Sequence, residues 1–150
     1  MIAPEPFRCG CLAIVGPPNV GKSTLLNRLV GQKISIVSRK AQTTRHRISG
    51  VVTLPGCQYV FVDTPGFQTR HRNALNRLMN RSVGQALAGI DVVMLVVAAG
   101  MFGEAERRML PMLPGDRPVL LVINKIDRFA DKSRLLPFIA ECAKAFEFAE

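Results

Sequence analysis

The chain has 150 residues, enough for one domain with a substantial core. Apolar residues make up 48% and charged residues 21%, a balance that excludes intrinsic disorder. The net charge of +9 is unevenly spread: between Glu5 and Asp91 the only acidic residue is Asp63, against twelve Lys and Arg, while the remainder is nearly balanced. A basic half implies a polyanionic neighbour, whether nucleotide phosphates, RNA or a membrane surface.

The N-terminal stretch lacks a basic region followed by an apolar one, so no signal peptide is expected. The longest apolar run, Val92 to Ala99, is too short to span a bilayer and reads as a strand buried on both faces. Cys9, Cys11, Cys57 and Cys142 show no C-x-x-C spacing, and His46 and His71 are isolated, so the cysteines read as reduced packing residues.

In chain order, Cys11 to Val15 is a short apolar strand that runs into Gly16-Pro17-Pro18-Asn19-Val20-Gly21-Lys22-Ser23-Thr24. That string fits G-x-x-x-x-G-K-[ST], and it follows a strand and opens a helix predicted over Lys22 to Leu29, stopped by Gly31. Its glycines let the backbone curl so that successive N–H groups face one anion, and the helix N-terminus adds its positive dipole end. Lys22 supplies a point charge for the β- and γ-phosphates, and the Ser23 hydroxyl suits Mg²⁺.

Gln32 to Arg47 is polar, basic and aperiodic, and reads as a long loop containing Thr43-Thr44. A hydroxyl of that pair, assigned to Thr44 with Thr43 left open, would complete a Mg²⁺ shell when a γ-phosphate is present. Losing the phosphate would release the loop. Ile48 to Thr53 and Gln58 to Val62 read as a hairpin around Pro55-Gly56. Asp63-Thr64-Pro65-Gly66 follows at a strand end. Asp63 there can hold a Mg²⁺-bound water, and Gly66 offers a backbone N–H to a γ-phosphate without a side chain in the way.

Ala74 to Ala88 is helical in pattern, Asp91 to Ala98 a central strand, Glu104 to Leu113 a helix, and Pro118 to Ile123 a strand. That strand ends at Asn124-Lys125-Ile126-Asp127. A carboxylate at Asp127 can accept both N1–H and the 2-amino group of guanine, whereas adenine would leave it unpaired, which argues against an ATPase. The Lys125 stem can lie along the base, and Asn124 can brace the phosphate loop. Ser133 to Phe148 reads as the last helix, with Ser133 as N-cap. Alternating strands and helices predict a mostly parallel sheet with helices on both faces and ligands at the strands' carboxyl ends.

These motifs, in this order, resemble those of translation-factor-class P-loop GTPases. The string Gln32 to Arg47, with Asn76-Arg77-Leu78-Met79-Asn80, resembles the Era-like family in particular. The resemblance covers essentially the whole chain. It implies a Ras-like three-layer α/β fold, GTP hydrolysis with GTP/GDP and Mg²⁺ as ligands, and a cytoplasmic protein. It also implies a role in small ribosomal subunit (16S rRNA) maturation and peripheral inner-membrane association. It leaves the oligomeric state open. A nucleotide-dependent binding module without significant hydrolysis is the alternative.

The position after Gly66 is Phe67, where Ras-like enzymes carry a water-orienting Gln. Some relatives instead use K⁺ beside the phosphates, held partly by the Asn matching Asn19. Catalysis would then rest on electrostatics and backbone positioning by Lys22, Thr44 and Gly66 rather than on a side-chain base. Family members also carry a Ser-Ala motif after a sixth strand and an RNA-binding KH domain, neither of which is found here. The expectation is a single GTP-binding domain over residues 1–150, incomplete at its C-terminus. Its last strand and helix would be missing, and Pro118 to Ile123 would be left as an exposed apolar edge.

Overall fold

The computed structural model of the chain describes residues 6–31, 49–63, 87 and 89–150, with only the backbone of Ser49 and Asp63. Five strands form one sheet in the order β2-β3-β1-β4-β5. They are β1 (Arg8–Val15), β2 (Ser49–Leu54), β3 (Cys57–Asp63), β4 (Val92–Ala98) and β5 (Val119–Asn124). β2 and β3 pair antiparallel around Pro55 and Gly56, and every other pairing is parallel. After β1 the chain crosses to the edge strand β2, returns as β3 between β2 and β1, and then passes to the other side of β1 for β4 and β5. The strand order therefore changes direction at β1, and in open sheets of this kind ligands bind beyond the carboxyl ends of the strands at such a point.

Strand β4 suits an interior place, between β1 and β5, because Val93, Leu95, Val96 and Val97 are apolar on both faces and fully buried. Each such side chain contributes about 1.5–3 kcal/mol of burial. Ala13, Val15, Val93, Leu95 and Val97 point to one face. There they pack with Met109 of α2 (Glu104–Met109) and with Phe138 and Cys142 of α3 (Leu135–Ala145). Ile14, Phe61, Val96 and Ala98 point to the other face and meet Leu26 of α1 (Lys22–Val30). The result is the three-layer α/β arrangement expected from the alternating pattern.

Several boundaries differ from the sequence reading for identifiable reasons. The α-helix predicted over Glu104 to Leu113 ends at Met109 and tightens into a 3₁₀ turn, Leu110–Met112, where Pro111 cannot donate an α-helical hydrogen bond. Ser133 is not the N-cap of the last helix. The Asp131 carboxylate accepts its N–H at 2.9 Å and caps a 3₁₀ turn, Lys132–Arg134, that leads into α3. That helix ends at Ala145, and Phe146 is extended at φ −157°. The last residues then turn back to β5: Ala149 N–H donates to Val119 O and Leu121 N–H to Glu150 O, both at 2.8 Å. The outer edge of β5 is thus partly paired, which corrects the expectation of a bare edge. The predicted helix Ala74 to Ala88 lies outside the described residues, except for Leu87, which is buried in the core.

Candidate functional site

The loop after β1 is shaped by glycines. Gly16 has φ +154°, and a Cβ on it would stand 2.3 Å from the Val96 carbonyl oxygen of β4. Gly21 has φ +101°, and a Cβ there would stand 2.3 Å from Nδ2 of Asn124. Only glycine fits either position. Between them Asn19 is left-handed at φ 62°, a conformation Asn tolerates better than most residues. Gly21 is the N-cap of α1, so no side chain caps the first turn of that helix.

The Lys22 side chain folds back over the loop. Its ammonium donates to Gly16 O at 2.9 Å and Pro17 O at 2.7 Å and is buried. A buried cation at the mouth of a loop that opens a helix N-terminus makes a strongly anion-attracting environment.

The turn after β5 is hydrogen-bonded to this loop. Asn124, the last residue of β5, donates from Nδ2 to Val20 O at 2.8 Å. Lys125 is left-handed at φ 57° and donates from Nζ to Asn19 O at 2.5 Å. A 3₁₀ turn, Ile126–Arg128, follows. Asp127 is exposed on it, and among the described residues no group donates to its carboxylate.

Asp63 ends β3, and the register pairs it with Ile14, two residues before Gly16. Its backbone therefore lies at the same end of the sheet as the loop. The structure thus brings together Gly16, Pro17, Pro18, Asn19, Val20, Gly21, Lys22, Ser23 and Thr24 with Asn124, Lys125 and Asp127, and sets the end of β3 beside them. Thr44, Thr64, Pro65 and Gly66 lie outside the described residues.

Two features escaped the sequence reading. Lys125 reaches back to the loop carbonyl of Asn19, and no local pattern predicts a contact between positions so far apart. The second is a seat behind the turn. Gly100 has φ +75°, and a Cβ there would stand 3.2 Å from the Phe129 ring. Among the described residues, no helix is long and apolar enough to cross a membrane, and no group of His, Cys, Asp and Glu is arranged to hold a metal ion.

Residues 11–125 match the model of a family described as 50S ribosome-binding GTPase. The chain belongs to this GTPase family. Among its relatives, GTPase Era of Nitrosomonas eutropha is 56% identical over 144 residues, covering 96% of this chain and 49% of that protein. GTPase Era of Bordetella pertussis is 61% identical over 135 residues, covering 90% of this chain and 46% of that protein. The chain therefore spans about half the length of these relatives. A crystal structure of Era in complex with MgGDPNP and nucleotides 1506–1542 of 16S ribosomal RNA superposes with a TM-score of 0.84. It is 40% identical and covers 95% of this chain and 49% of that one. The G domain of the Thermotoga maritima FeoB iron transporter shares the fold at a TM-score of 0.60 and 21% identity.

Proposed function

We propose that the chain is a guanine-nucleotide-binding switch domain of the Era type that hydrolyses GTP. The observation that carries this reading is the pair of bonds from Asn124 and Lys125 to the carbonyls of Val20 and Asn19. They hold a phosphate-type loop and a turn bearing one open carboxylate as a single body. The pair suits a ligand with a polyanionic end for the loop and a base that donates two hydrogens for the carboxylate.

In this reading the loop Gly16 to Thr24 wraps the phosphates with its backbone N–H groups, and the Lys22 ammonium neutralises them. Asp127 accepts from the guanine ring N–H and amino group. Asn124 and Lys125 keep loop and turn in register. The donor set also fits Mg²⁺, which prefers a few hard oxygens plus phosphate: Ser23 would supply its hydroxyl, and Asp63 a carboxylate acting through water. Bound there, the ion would offset charge on the phosphates. Thr44 and Gly66 complete the proposed γ-phosphate contacts, and K⁺ at Asn19 is part of the same proposal.

On the same reading the protein is cytoplasmic, with peripheral contact at the inner membrane, and its partner is the small ribosomal subunit. The 16S rRNA bound to the structurally similar Era and the net charge of +9 support the ribosomal partner. The family description names the 50S particle instead. The Era structure with bound 16S rRNA aligns over 95% of this chain, which favours the small subunit.

Calorimetric titration with GDP and ADP tests the binding reading. GDP should bind in the presence of Mg²⁺ and ADP should not. Equal affinities would overturn it. Phosphate release from GTP, measured in K⁺ and in Na⁺, separates a GTPase from a module that binds without turnover.

A further inference from the structure

The turn that carries Asp127 is held at both ends. At its start, Asn124 is fixed by its own carbonyl, which accepts Ala99 N–H at 2.8 Å, and by its side-chain bond to Val20. At its end, Arg128 N–H donates to Lys125 O at 3.0 Å and Phe129 N–H to Ile126 O at 3.2 Å. Asp127 lies between these anchors with no hydrogen-bond partner of its own among the described residues. Where its carboxylate points is therefore decided by the anchors.

The second anchor is a packed aromatic. Phe129 sits edge-on to Phe138 of α3, with ring centroids 5.9 Å apart at 70°. The guanidinium of Arg134 covers it at 5.5 Å. A further side of the ring lies against Gly100, in the turn that leaves β4, where Met101 N–H donates to Ala98 O at 2.9 Å. Gly100 is left-handed, and a Cβ there would stand 3.2 Å and 3.4 Å from two ring carbons. A Cβ there would require the ring to give way by a few tenths of an ångström. Arg128 Nη1 adds a contact to Met101 Sδ at 3.2 Å, so the β4 turn meets the Asp127 turn at Gly100 and at Met101.

We propose that Phe129, seated on Gly100, is a positioning residue that aims the Asp127 carboxylate at the base. The inference rests on the guanine-binding reading and deepens it. A hydrogen-bonding group misplaced by a fraction of an ångström loses much of its discrimination, and residues that act this way lie on packed elements behind the site.

The probe is inosine diphosphate, which keeps the ring N–H of guanine and lacks its amino group. The ratio of IDP to GDP dissociation constants therefore reports the grip of Asp127 on that group. A charged hydrogen bond of this kind should give the wild-type chain a ratio of about tenfold or more. Phe129→Ala should contract the ratio toward one, and Gly100→Ala should contract it less. In the double variant the part of the Gly100→Ala effect on the ratio that comes from the ring should vanish, because the ring it displaces is gone and only the backbone strain at φ +75° remains. A general loss of stability lowers the melting temperature and weakens both nucleotides equally, leaving the ratio unmoved. If Phe129→Ala does not fold, Gly100→Ala alone decides the question. A wild-type preference for GDP that survives the substitutions unchanged overturns the positioning role only. A wild-type chain with no such preference overturns the assignment of Asp127 as base reader, and the positioning role with it.

Discussion

The loop after β1 and the turn after β5 lie side by side and are built on different principles. The loop is defined by its backbone: two glycines in conformations closed to other residues, each against a neighbour that a Cβ would strike, with a buried ammonium bonded to its carbonyls. The turn is defined by side chains on an ordinary 3₁₀ scaffold, with Asp127 exposed and the anchors at Asn124 and Phe129 on either side. A phosphate is recognised by many weak dipoles in one concave surface, so the whole loop must be right. A base edge is recognised by one directional acceptor, so one residue carries the choice and the scaffold only aims it. Substitutions in the loop should damage affinity for every nucleotide. Substitutions in the turn should change which nucleotide binds.

The sharpest way to break this contrast is Lys22→Ala. Removing a buried charge partner costs about 2–5 kcal/mol in binding. The loss should be nearly the same for GDP, IDP and xanthosine diphosphate, since none of them differs at the phosphates. A base-dependent loss, read by calorimetry, would show that the loop also selects the base.

The next effect lies at the joint between the two regions. Gly21→Ala places a Cβ against the Asn124 amide, and Asn124→Ala removes both that obstacle and the bond to Val20. Each substitution alone should cost about 1–3 kcal/mol of stability. The double variant should lose less than the sum, because the collision disappears and only the backbone strain at φ +101° remains. Additive losses in urea unfolding would show that loop and turn are not mechanically joined there.

The smallest effect lies away from both regions. Cys142 of α3 is fully buried in the core, and burial pushes its thiol from 9.0 up to about 11. Well below pH 9.0 folded and unfolded chains are both protonated at this site. As the pH rises toward 11 the unfolded thiol ionises first, so its contribution to stability is lost over that window. Unfolding midpoints should fall with pH there, and less steeply in Cys142→Ala. Equal slopes would remove Cys142 as the cause. Native Cys142 should also react with a thiol reagent far more slowly than exposed Cys9.

The sheet was legible because most of its strands are apolar runs that end at Asp or Asn or run into a glycine turn, and the run Val92 to Ala99 is too apolar to sit at an edge. The loop was legible because glycine, lysine and serine at that spacing carry their own geometry. The end of the chain was not. Phe146 and Phe148 extend the apolar pattern of α3 well enough to pass for another helical turn, yet they stand two apart, as residues on one side of an extended segment do. They pack on each other with ring centroids 5.0 Å apart. Ser133 and Asp131 are both good caps, and only the structure shows a 3₁₀ turn between Asp131 and α3. The seat of Phe129 on Gly100 could not be read at all, because it joins two loops through the shape of a missing side chain.

The central claim is that one carboxylate chooses the base while the loop holds the phosphates. Affinities of the wild-type chain and of Asp127→Asn for GDP and xanthosine diphosphate test it most directly. Xanthine carries a carbonyl where guanine carries its amino group, so the amide of the variant can donate where the carboxylate only accepts. The wild-type chain should prefer GDP, and Asp127→Asn should prefer xanthosine diphosphate, with the melting temperature unchanged. A variant that still prefers GDP would contradict the claim.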